Sequence, residues 1–159
     1  MKFHFCTLLL ITFFSSSLLA SPSDQNEKQD VYVYRPSSFS SWGRVIIVNV
    51  NGIPSTELAS CTFAKLKLPS GIYRFDAALK PWPFDPSTGA ASIIVSIASD
   101  GPTYIGYYPN ELSTTELSAT FISYPNVSIG RLRHYFGVTH PEVASKEMVS
   151  CSAVKSLHD

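Results

Sequence analysis

The stretch TFAKLKLPSGIYRFDAAL, residues 62–79, restricts the fold more than any other part of the chain. Ala64, Leu66 and Leu68 fall on one side of a two-residue period, and Lys65 and Lys67 fall on the other. After Pro69-Ser70-Gly71 the same period returns, with Tyr73, Phe75, Ala77 and Leu79 set against Arg74 and Asp76. Only a half-buried β-strand places alternate residues on opposite faces in this way. Pro-Ser-Gly is turn chemistry, in which Gly71 can supply a positive φ. The pattern predicts two strands joined as a hairpin.

The rest of the chain repeats this grammar. RVIIVNVNG (44–52) is continuously apolar and β-branched, as in a strand covered on both faces, and Asn51-Gly52 closes it with a turn. AASIIVSIASDGPTYIGYY (90–108) predicts a second hairpin about Asp100-Gly101. ELSATFISY (116–124) reads as a strand with Leu117, Ala119 and Phe121 on one face, and Gly130 marks a bend or bulge in the next segment. In THPEVASKEM, Thr139 or His140 is a capping residue ahead of Pro141 and Glu142, which opens a short helix. MVSCSAV supplies a last strand. The expected fold is mainly β, a single antiparallel β-sandwich with one short C-terminal helix.

The start of the chain has a different character. MKFHFCTLLLITFFSSSLLAS carries Lys2, an apolar run from Phe5 to Phe14 and a small residue at Ala20. This is the layout of a secretory signal with cleavage after Ala20, the alternative being an uncleaved anchor. No later segment approaches the roughly 20 apolar residues of a membrane helix. The organisation expected is a signal at 1–20, a polar disordered tether at 21–30 and a β-sandwich domain at 31–157. With 12 basic and 12 acidic side chains and no basic cluster, neither nucleic acid nor an anionic membrane is the expected partner. The 15% charged and 13% aromatic residues, with 11 Pro and 8 Gly, suit a turn-rich extracytoplasmic β domain.

VYVYRPSSF, NVNGIPSTEL, CTFAKLKLPSGIYRFDA, DGPTYIGYY and EVASKEMVSCSAV, in this order, resemble the bacterial domain-of-unknown-function family 2846. The resemblance spans roughly Val31 to Val154. It implies an envelope β-sandwich, often carried on lipoproteins, with no established catalytic role. Two features depart from the pattern. Ser21 stands where many relatives carry a lipid-anchoring Cys, so no membrane anchor is expected after signal cleavage. The connection LKPWPFDPSTGAA is also longer and more aromatic.

Candidate sites are few. SSFSSWG (37–43) lacks a G-x-S-x-G pattern, and it reads as the chain crossing to its next strand, with Phe39 or Trp42 folded over the core. His134, His140 and His158 match no metal spacing, and Asp76, Asp85 and Asp100 form no carboxylate pair in sequence. Asn126 opens a glycosylation-type triplet that is coincidental in a bacterial protein. No metal or cofactor is expected. Trp82 and Phe84, interleaved with Pro81, Pro83 and Pro86, are the possible ligand contacts, or else they cap the open end of the sandwich. Cys61 and Cys151 remain once Cys6 leaves with the signal, and an even count in an oxidising compartment predicts a disulfide. The expected function is a non-catalytic exported envelope domain, periplasmic or secreted, that binds or scaffolds an envelope protein or glycan. The alternatives are a carbohydrate- or peptide-binding module using Trp82 and Phe84, and a hydrolase assembled only in three dimensions.

Overall fold

The computed structural model describes residues 27–37, 44–80, 90–109, 114–123, 127–129 and 132–157. Two sheets face each other across one apolar core, and the mainly-β fold is as expected. The larger sheet is built from β1 (Lys28–Arg35), β4 (Thr62–Pro69), β7 (Thr103–Tyr108), β8 (Phe121–Ser123), β9 (Val127–Ile129), β10 (Leu132–Thr139) and β11 (Ser152–Val154). Its order is β11-β4-β1-β7-β10-β8, with β9 also paired to β10. The smaller sheet contains β2 (Ile46–Val50), β3 (Ile53–Leu58), β5 (Gly71–Leu79) and β6 (Ala90–Ile97) in the order β3-β2-β5-β6. Helices α1 (Thr114–Thr120) and α2 (Pro141–Met148) complete the fold.

Alternation decides which side chains enter the core. Val31 and Val33 of β1, Ile105 and Tyr107 of β7, and Phe136 of β10 meet Ile46, Val48, Phe75, Ala77 and Ile93 of the smaller sheet. The intervening residues Tyr34, Tyr108 and Tyr135 point to the other face of the larger sheet, where Leu117, Phe121 and Ala144 cover them. The larger sheet is therefore buried on both faces over these strands. In VYVYR this shows as valine alternating with tyrosine, and in TYIGYY as Ile105 and Tyr107 on the inner face against Tyr104, Gly106 and Tyr108 on the other.

Several sequence expectations need correction. Neither predicted hairpin forms, because β4 and β5 lie in different sheets, as do β6 and β7. Both turns are corners that carry the chain across the core. The turn at Asn51-Gly52 does close a hairpin, β2–β3, where Asn51 (φ 51°) and Gly52 (φ 81°) are both left-handed, as a tight two-residue turn with matching twist requires, and the consecutive strands β5–β6 and β9–β10 are antiparallel pairs as well. The sandwich is not wholly antiparallel, since β1–β7 and β11–β4 run parallel. Residues 114–120 are helical and do not form a strand. Leu117 and Phe121 are four apart, a spacing that puts them on one side of a helix as well as of a strand, whereas Ala119 is exposed. The terminal strand is shortened to Ser152–Val154, and β1 begins at Lys28, inside the stretch expected as tether, since Lys28, Gln29 and Asp30 pair with Pro69, Leu68 and Lys67. The opening connection leads from β1 in one sheet to β2 in the other. Helix α2 starts where expected, with His140 at the N-cap, Pro141 in the first turn and Glu142 beside it.

Candidate functional site

Among the described residues, two buried polar clusters and a groove at the sheet edges stand out. The first lies beneath α2. The Tyr34 hydroxyl is 2.9 Å from the Tyr108 hydroxyl and donates to Glu147 Oε2 at 2.9 Å, and Tyr108 donates to the same carboxylate oxygen. Burial raises both phenols well above their ordinary value, and the adjoining Glu147 charge raises them further. Both therefore stay protonated as donors, and the cluster fastens α2 to the sheet. Gly106 makes this possible. A Cβ there would come within 2.7 Å of both Thr139 Oγ1 and the Tyr108 ring, and 3.1 Å from the Tyr34 ring. Gly106→Ala is expected to cost about 2–3 kcal/mol by overpacking, read as a lowered denaturant midpoint with unchanged slope.

The second place lies at the end of the sandwich where β1 finishes. Arg35 is fully buried, and its Nη1 donates to the carbonyls of Arg44 and Leu58, so one side chain ties the two sheets together. Its guanidinium lies 5.9 Å from the centre of the Tyr107 ring, and the Tyr107 hydroxyl is 2.5 Å from His134 Nδ1. Burial pushes the Tyr107 phenol up to about 12. Burial, and then the charges of Arg35 and Arg44, hold His134 below its ordinary 6.5. His134 is thus held neutral, and its Nδ1 shares a hydrogen bond with the protonated Tyr107 hydroxyl in a direction set by the ring tautomer.

This depressed value has a definite sign. As pH falls below about 6.5 the unfolded chain binds a proton at His134 before the folded chain does. Stability present at neutral pH is then lost, at no more than about 1.4 kcal/mol per pH unit. Denaturant melts between pH 7.5 and 5 should show a shallower loss in His134→Gln than in the wild type. Equal slopes would assign the acid sensitivity to other groups.

The third place is a groove of about 290 Å³ where the edges of the two sheets come together. Ile94 of β6, Pro102, Tyr104 of β7, Ile122 of β8, Val138 of β10 and Pro141 line it, together with Ser96, Thr103, Ser123 and the backbone of buried Thr139. Ile94 and Ile122 are 70% and 59% exposed, large values for isoleucine. None of the lining residues is an acid, a lysine, an arginine or a histidine. The groove's described lining offers apolar contact and neutral hydrogen bonding, which are means of holding a ligand.

Of the residues singled out in the sequence, Cys61 and Cys151 are brought to disulfide distance with Cα atoms 4.6 Å apart. Trp82, Phe84, Asp85, Phe39, Trp42, Asn126, Gly130 and His158 lie outside the described residues. Asp76 pairs with Arg74, and Asp100 sits exposed in the β6–β7 corner. His134 is buried in β10 while His140 caps α2, and among the described residues no three His, Cys, Asp or Glu side chains gather as a metal site. Sequence reading missed the Tyr34–Tyr108–Glu147 and Arg35–Tyr107–His134 clusters. The signal was present in the strict Val/Tyr alternation of VYVYR, which puts Arg35 on the inward side. The chain matches no family model, no curated protein and no solved structure.

Proposed function

We propose that this chain is a non-catalytic exported domain of the bacterial cell envelope that docks another envelope component in the groove between β6 and β8. The observation that carries the reading is the lining of that groove: exposed isoleucines, a tyrosine, two prolines and neutral hydroxyls beside a strand edge. Its polar clusters serve the fold, since one fastens α2 and the other joins the sheets. The Cys61–Cys151 pair, the signal layout of residues 1–20 and the resemblance to the domain-of-unknown-function family 2846 support an oxidising, extracytoplasmic setting.

Two measurements test the parts separately. The intact mass of the mature chain should correspond to a start at Ser21 without a diacylglycerol increment, and a lipidated mass would refute the soluble form. Photo-crosslinking amino acids placed at Ile94 and Ile122 in producing cells should yield adducts that the same probe at Lys65, on the opposite flank, does not. Equal yields at all three positions would remove the groove as the docking surface.

A further inference from the structure

We infer that the occupant of this groove is a second copy of the chain, paired antiparallel along β6 about a two-fold axis at Ile94. This rests on the reading of the groove as a docking surface and names its partner. The strand edges of the two sheets are treated very differently. β3 carries Pro54 and is tied to the C-terminal residues, through Leu157 N–H to the Ser55 carbonyl at 2.8 Å and Thr56 Oγ1 to the Lys155 carbonyl at 3.3 Å. β8 and β11 are three residues each. β6 is eight residues long, AASIIVSI, and pairs with β5 in one unbroken register from Ala78↔Ala90 to Gly71↔Ile97. It has no charge, no proline and no bulge, and among the described residues no strand pairs with its outer edge, so its own sequence does nothing to blunt that edge against another strand.

The sequence of this edge selects its partner. Ser92-Ile93-Ile94-Val95-Ser96 is nearly palindromic. Laid antiparallel on a copy of itself and centred on Ile94, it sets Ser92 opposite Ser96, Ile93 opposite Val95 and Ile94 opposite its own counterpart. Such a contact is isologous, so every favourable pair occurs twice and no like charges meet. It would cover Ile94, which shares the outer face with Arg74 directly opposite and with Ile72, 75% exposed and diagonally across on β5. One pair of eight-residue edges is a small interface, which places the association in the weak, concentration-dependent class.

The test uses the mature chain, residues 21–159. Sedimentation equilibrium should show a monomer at about 1 μM and a rising dimer fraction through roughly 10–500 μM, as a small interface implies. Ile94→Lys should remain monomeric throughout with an unchanged melting temperature. Opposed residues of an antiparallel pair have Cβ atoms about 5 Å apart, so Ile94→Cys should cross-link to itself under mild oxidation at least tenfold faster than Ile72→Cys. Ser92→Cys should cross-link rapidly only when mixed with Ser96→Cys. A wild type monomeric at all concentrations, or Ile94→Cys no faster than Ile72→Cys, overturns the self-pairing. If the cellular adducts at Ile94 persist in that case, the docking reading stands without it, and if they too are absent both readings fall.

Discussion

Removing the Cys61–Cys151 bond is expected to produce the largest single loss of stability in this domain, at the upper end about 4–5 kcal/mol. The two cysteines are 90 residues apart in sequence, so their bond closes most of the described fold into one loop and removes much of the freedom of the unfolded chain. The native side adds a local reason. β11 is only three residues long and pairs parallel to the edge of β4, with Ser152 N–H bonded to the Cys61 carbonyl at 3.1 Å. Beyond it, the chain is held to β3 by the Leu157 and Thr56 hydrogen bonds, whose net worth is about 1 kcal/mol each. Without the disulfide, so short a strand pays more in ordering than it recovers, and β11 frays before the sandwich opens. Guanidinium melts of the oxidised protein and of a Cys61→Ala/Cys151→Ala variant measure the total. Hydrogen exchange at Ala153 and Val154 should report the local opening as loss of protection there first. Coincident melts would show that the bond contributes nothing to the fold.

What the sequence could and could not reveal follows from what a local pattern encodes. The alternation at residues 62–79 places Ala64, Leu66, Phe75, Ala77 and Leu79 inward, and the structure buries all five. It carries no information on whether two consecutive strands bond to each other or face each other. A hairpin and a corner both turn two apolar faces toward one core, and both need Gly or Pro at the reversal. That choice is made by distant strands, since β1 claims β4 while β2 claims β5. The helix at 114–120 was hidden for a related reason, because a four-residue spacing suits either period. The groove was not legible because its lining comes from β6, β7, β8, β10 and the start of α2, segments up to 47 residues apart between Ile94 and Pro141. The disulfide was legible because only Cys61 and Cys151 of the three cysteines lie outside the apolar N-terminal stretch that holds Cys6, which leaves a single pairing between them.

Phe136→Ala should rank second, at about 3–5 kcal/mol. Phe136 is fully buried on the inner face of β10, edge-on to the Tyr107 ring at 6.3 Å, in the strand of the larger sheet that packs closest on β6. Truncation there removes a ring from the middle of the core and leaves a cavity that two hydrogen-bonded sheets cannot collapse to fill. Phe136→Leu keeps most of the volume and should cost only about 1–1.5 kcal/mol. Ile94→Ala, on the exposed outer face of β6 and only a strand away, should change stability by less than about 0.5 kcal/mol in the dilute monomer. The ordering of the three discriminates core packing from a general intolerance of β6 and β10. Phe136 and the disulfide belong to separate parts of the fold, so their effects should nearly add, to roughly 7–10 kcal/mol. That sum is comparable to the whole stability of an ordinary domain. The Phe136→Ala variant should therefore fold when oxidised and lose its cooperative thermal transition when the disulfide is reduced. A cooperative transition that survives reduction in this variant would mean that one of the two contributions has been placed too high.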